Sequence, residues 1–101
     1  MQPKKERYRR IRGAILKLLA HQHPGTIDDK VLFFLLDDLR YSCSDEEFES
    51  HISYLVEVDL IKTEKRKTGG IEIRMFKVSA KGLNLLDGFD PHPDPGVDVN
   101  F

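Results

Sequence analysis

At Asp59 the spacing of apolar residues in this chain changes period. Before it they recur at intervals of three and four: Tyr8, Ile11, Ile15, Leu18 and Leu19, then Val31, Leu32, Leu35, Leu36 and Leu39, then Phe48, Ile52, Leu55 and Val56. From Leu60 to Val78 the rhythm becomes two. The first spacing lines one face of a helix and the second lines one face of a strand. The expected order is therefore three amphipathic helices followed by a hairpin. A hairpin alone is too small to be stable, so it must lie on the helices.

Local signals sharpen these elements. The first helix is expected from about Lys4 to His21, ended by Pro24-Gly25. Gly13 lies in its interior, where Gly costs roughly 1 kcal/mol relative to Ala. It is either tolerated on an exposed face or it admits a second backbone. Gly13, Leu16 and Ala20 form a second, smaller stripe and a candidate dimer face. The second helix is expected to start near Thr26, which has capping-box spacing to Asp29, and to reach about Arg40, with Phe33 among its wet-face residues. Ser44-x-x-Glu47 is a capping box opening the third helix, which ends near Val58-Asp59. Its outward residues are Glu46, Glu49, Ser50, Ser53 and Glu57, with Tyr54 beside them. Strands are expected at Leu60–Arg66 and Ile71–Val78, around a turn at Lys67-Thr68-Gly69-Gly70. The alternation slips at Met75-Phe76, which predicts a bulge or a change of packing partner. Ser79 caps a short fourth helix that Gly88 closes.

This order defines a mainly α fold with a small β-hairpin (α+β): a winged helix-turn-helix over residues 1–88, with a basic N-terminal arm. Residues 89–101 are an acidic, Pro-rich tail, expected to be extended or disordered, although Val97, Val99 and Phe101 offer it an apolar end that can dock. The single cysteine, Cys43, excludes an internal disulfide and fits a reducing cytosol. The longest apolar run, Val31–Leu36, is far too short to span a membrane, so the expectation is a cytoplasmic protein. No phosphate loop, nucleophile elbow or framed pair of carboxylates points to an enzyme or a cofactor. Cys43, His21, His23, His51 and His92 lack the ligand spacing of a zinc site, and Cys43 reads as an apolar filler.

The run ISYLVEVDLIKTEKRKTGGIEIRMFKVSAKGLNLLDG resembles the second half of bacterial winged-helix regulators, through Ser79-Ala80-Lys81-Gly82 and Leu85-Leu86. Glu64-Lys65-Arg66 looks like a variant of the wing motif D-x-R in the multiple-antibiotic-resistance type of regulator, whose long terminal dimerisation helices are absent here. Over nearly the whole chain the sequence resembles a small winged-helix family of Mu-like prophages. That likeness is carried by Ile11, Ile15, Leu16, Leu18 and Leu19, by KGLNLLDG, and by Pro95-Gly96-Val97. It implies a phage or prophage setting and a DNA-binding type of fold.

The net charge of −1 conceals a segregated pattern. Residues 1–17 carry seven Lys/Arg against one Glu, residues 18–59 two against ten acids, residues 60–81 seven against two, and the rest four Asp. Winged helices usually put the third helix in the major groove and let the wing touch backbone or minor groove. The expected partner is double-stranded DNA, bound by a transcriptional regulator that can act as a homodimer; no effector is implied. The candidate contacts are Lys62, Lys65, Arg66, Lys67 and Arg74 in the wing and Lys4, Lys5, Arg9, Arg10 and Arg12 in the arm. Ser50, Ser53 and Tyr54 are the candidates on helix three. Against this, Asp45, Glu46, Glu47 and Glu49 crowd the start of that helix, where three of them suit the helix dipole but all would be repelled by phosphate. The alternative is a protein-interaction module using this acidic face without DNA.

Overall fold

Helix α1 spans Pro3–Gln22, β1 Ile27–Asp28, α2 Asp29–Asp38, α3 Asp45–Glu57, β2 Ile61–Thr68, β3 Ile71–Val78 and α4 Ala80–Leu86. This is the computed structural model of the chain, and it describes residues 3–101. Helix α1 is central: it packs against α2, α3, α4 and β3. Its Ile11, Ile15, Leu16 and Leu19 meet Leu32, Leu36, Phe48, Ile52, Leu55 and Phe76 in one buried core. Each such side chain contributes about 1.5–3 kcal/mol by leaving water.

The sheet is antiparallel with order β1-β3-β2. Strand β1, only two residues long, carries too short a pattern to be read from sequence. It pairs Ile27 with Phe76 and Asp28 with Met75. Because β1 holds these residues extended, α2 starts later than the expected Thr26: Asp28 is the N-cap, its Oδ1 accepting from the Lys30 and Val31 amides at 2.8 and 3.2 Å. No bulge interrupts the hairpin, whose pairing runs unbroken from Ile61–Val78 to Thr68–Ile71. The slip at Met75-Phe76 is a change of partner. At the tip the apolar residues Ile71 and Ile73 lie on the outer face; at the base Phe76 and Val78 turn inward to the helices. Gly69 and Gly70 close the hairpin in a two-residue loop with φ of 58° and 81°, the paired positive values a tight hairpin turn needs.

Several expected core positions lie outside the core. Val31, Leu39 and Val56 are 50%, 50% and 39% exposed. Helix α2 buries the Leu32–Leu36 line instead, and Phe33 is half-buried, edge-on to Phe48. In α3 Val56 turns outward, and His51, which is not among the expected inward residues, is 1% exposed.

The tail has neither helix nor strand, yet it is packed along α1. Val97 is buried, and the Asp98 amide donates to the Arg9 carbonyl at 3.0 Å. Gly13 is what permits this: a Cβ there would collide with the Asp98 carbonyl oxygen. The second backbone admitted by Gly13 is the chain's own tail. The expected dimer face does not survive, because Gly13 lies beneath the tail, Leu16 is fully buried in the core, and Ala20 is half-buried against it.

Candidate nucleic-acid interface

Helix α3 begins with both halves of the capping box, Ser44 Oγ accepting from the Glu47 amide at 3.1 Å and Glu47 Oε1 from the Ser44 amide at 3.0 Å. Glu47 also accepts from the Tyr8 hydroxyl. The Ser44 amide first, then the Tyr8 hydroxyl, holds its carboxyl down to about 2. Glu49 is taken up by a fork of two bonds from Arg74, at 2.7 and 2.5 Å. Those bonds lower the Glu49 pKa and raise that of Arg74. Arg74 reaches Asp29 as well, at 3.5 Å, and lies over the Phe76 ring. Two of the four acids at the start of α3 thus have internal partners. Asp45 and Glu46 face solvent.

The other side chains of α3 divide. Ser50 and Ser53 are exposed. Tyr54 is withdrawn from that exposed face: its hydroxyl donates to Asp94 of the tail, and the Arg12 guanidinium stacks 4.1 Å from its ring centre.

The register splits the wing cations. Lys65, Lys67 and Arg74 share the face that turns inward at the base, while Lys62 and Arg66 occupy the opposite one. Arg74 is committed to Glu49 and Asp29, and Lys65 lies 3.6 Å from Glu72. Among the described residues, Lys62, Arg66 and Lys67 form no ion pair, and all three are exposed.

The N-terminal cations are part of α1 rather than a separate arm. Lys4 and Lys5 are exposed. Arg9 bonds Glu6 at 3.0 Å and the Pro95 carbonyl at 2.8 Å, and Arg10 lies 3.7 Å from Asp98. Arg12 donates Nε to His51 Nδ1 at 3.1 Å and Nη1 to the Gly96 carbonyl at 3.2 Å. His51 Nε2 has no partner, and burial, then the neighbouring Arg12, pushes the ring pKa down to about 4. His51, Gly96, Asp94 and Asp98 were not among the expected site residues. The signal that could have found their role was Gly13. Cys43 is half-buried, and burial raises its thiol pKa. Among the described residues no cluster of His, Cys, Asp or Glu could hold a metal ion, and no helix is long and apolar enough to cross a membrane.

Three helices, a wing folded onto them and a third helix with one open face make this a winged-helix fold. No protein-family model matches the chain, and no curated protein matches it. Solved structures share the fold, two of them bacterial proteins. One is a PadR-like transcription factor from Bacteroides fragilis, 19% identical, with a TM-score of 0.65 over 77% of this chain and 74% of that one. The other is Bacillus subtilis PadR in complex with operator DNA, 17% identical, with a TM-score of 0.65 over 84% of this chain and 49% of that one. This chain thus corresponds to about half the length of the second.

Proposed function

We propose that this chain is a winged-helix DNA-binding protein acting as a transcriptional regulator in the cytoplasm. The observation that carries the reading is the wing's set of exposed, unpaired cations, Lys62, Arg66 and Lys67, on a hairpin that projects beyond the acid-paired Arg74. Such side chains bind phosphate without needing α3 to enter deeply, and an Arg near a wing tip can read a narrow minor groove. Ser50 and Ser53 then face the groove, and Lys65 supports the tip. The likeness to a PadR bound to operator DNA supports the assignment. The phage or prophage origin belongs to the same proposal and rests on the sequence resemblance alone. A homodimer does too, now on a surface other than Gly13 and Leu16; sedimentation velocity at high concentration, with and without DNA, tests it, and a monomer throughout would refute it.

Fluorescence anisotropy with random duplex DNA tests binding. Non-specific binding should have a Kd of about 10⁻⁴–10⁻⁶ M near physiological salt and weaken as salt rises. Arg66→Glu with Lys67→Glu should abolish most of it. Unchanged affinity in that variant would remove the wing from the reading, and no binding by the wild type at low salt would end it.

A second reading has one observation in its favour. Phe34 is 70% exposed in a cleft of about 220 Å³ that it lines with Phe33, Phe48, Asp45, Lys30 and the cluster of Arg74 with Asp29 and Glu49. An exposed aromatic beside an apolar cleft suits an apolar protein segment, and Asp45 at its edge suits a basic residue on that segment. Phe34→Ala should leave DNA binding intact if the first reading holds.

A further inference from the structure

The tail lies on the cations of α1 that phosphate would otherwise take. Pro95 and Gly96 carbonyls accept from Arg9 and Arg12, the Phe101 carbonyl from Lys17 at 2.7 Å, and the Asp98 carboxylate sits against Arg10. Asp94 holds the Tyr54 hydroxyl, and Arg12 covers the Tyr54 ring. Carbonyl and carboxylate oxygens spaced along an extended chain present the same acceptors to Arg and Lys as a phosphodiester backbone does. We propose that the C-terminal tail is a built-in competitor for nucleic acid, masking an Arg9–Arg12–Tyr54 patch that becomes a second DNA contact when the tail is released.

The patch adjoins the candidate interface through the chain itself, since Tyr54 follows Ser53 on α3. Release gives the open face of α3 a phenol and two guanidiniums beside Ser50 and Ser53, and removes Asp94 from its edge. The hold is of a kind DNA can displace. Val97 is the one buried tail residue; Val99 is half-buried and Phe101, against Lys17 and Tyr41, is 46% exposed. The Arg10–Asp98 pair is loose, with the Arg10 side chain 53% exposed. Exposed pairs of this type contribute little and weaken in salt. Gly13 shapes the masking site, because only a residue without a side chain lets the Asp98 carbonyl approach.

This inference rests on the DNA-binding reading, and three full-length variants separate the two. Gly13→Ala evicts the tail without altering charge, and Ala suits the interior of a helix. Asp94→Asn with Asp98→Asn weakens the tail's hold. Asp37→Asn with Asp38→Asn, at exposed positions of α2, makes the same charge change away from the tail. Hydrogen exchange at the Asp98 amide reports tail release, and anisotropy against duplex DNA over a salt series reports binding. The expected result is faster Asp98 exchange in the first two variants, with affinity about ten-fold higher and a log–log salt slope steeper by about 2–3 for the freed Arg9, Arg10 and Arg12. The α2 variant should show neither change in slope nor in exchange. A released tail with unchanged affinity and slope would overturn the proposal while leaving the wing reading in place. An Asp98 amide as protected in Gly13→Ala as in the wild type would also overturn it. Absence of binding in every variant would overturn both readings together.

Discussion

Folding changes the chemistry of His51. It is buried against Tyr8, it accepts from Arg12 through Nδ1, and its Nε2 meets no acceptor. Protonation would place a second cation beside Arg12 and remove the lone pair that Arg12 uses. Its pKa falls from 6.5 to about 4 on folding, so between these values the unfolded chain binds the proton more readily. Stability attributable to His51 is therefore fully present above pH 6.5 and declines as pH drops through this window. At most about 3 kcal/mol is lost by pH 4. Urea unfolding at pH 7, 5.5 and 4 should show this decline, and His51→Gln, which does not titrate, should flatten it. An NMR titration placing His51 near 6.5 would contradict the burial argument. Glu47 acts in a lower window. Its carboxyl is depressed in the fold, so its contribution is present above about 4.5 and fades towards about 2.

At the scale of elements, α2, α3 and α4 end in the same way. The amides of Arg40 and Tyr41 reach Asp37 and Leu36, those of Asp59 and Leu60 reach Val56 and Leu55, and those of Gly88 and Phe89 reach Leu85 and Asn84. Each end turns through a left-handed residue: Arg40 at φ 64°, Asp59 at 62° and Gly88 at 76°. Only the last is the glycine that this motif favours. Arg40 carries the larger strain, since Asp tolerates the left-handed region better than a long side chain does. Arg40→Gly should therefore stabilise the domain by roughly 0.5–1 kcal/mol, the relief of strain exceeding the entropy that Gly adds to the unfolded chain. Thermal unfolding should shift upward by about 3–6 °C; an unchanged or lower midpoint would show that the Arg40 side chain is needed. These ends also explain what could be read in advance. The capping box at Ser44 and Ser79 with Gly88 are local signals that mark the boundaries they predicted, whereas the glycine turn is tighter than expected, with Lys67 and Thr68 paired in β2 instead of in the loop. Strand β1 and the left-handed Arg40 carry no local signal, because a two-residue strand exists only through its partner β3 and the turn at Arg40 is imposed by packing.

At the scale of the whole molecule, charge separates what was legible from what was not. Lys62, Arg66 and Lys67 lie on a hairpin whose tip touches little, so their exposure on either face follows from the sequence. The partners of Arg74 and Arg12 do not, since Glu49 lies 25 residues from Arg74, and Gly96 lies 84 from Arg12. Those pairings alter the meaning of the acidic third helix. With Glu49 paired to Arg74, the uncompensated charges in the first turn of α3 are Glu47, which its cap holds ionised, and the two exposed acids Asp45 and Glu46. Asp45 and Glu46 favour the helix dipole by about 0.3–1 kcal/mol each, so under the proposed DNA-binding function stability and DNA affinity are opposed at these two positions. Asp45→Asn with Glu46→Gln should lower the unfolding free energy by roughly 1 kcal/mol. The same variant should tighten binding to duplex DNA of any sequence, most at low salt, because the relieved repulsion is screened within a Debye length of about 10 Å at 0.1 M. Paired urea unfolding and anisotropy on one preparation measure both effects. Loss of stability without a gain in affinity would mean that the start of α3 does not approach DNA, leaving its two free acids to a protein partner.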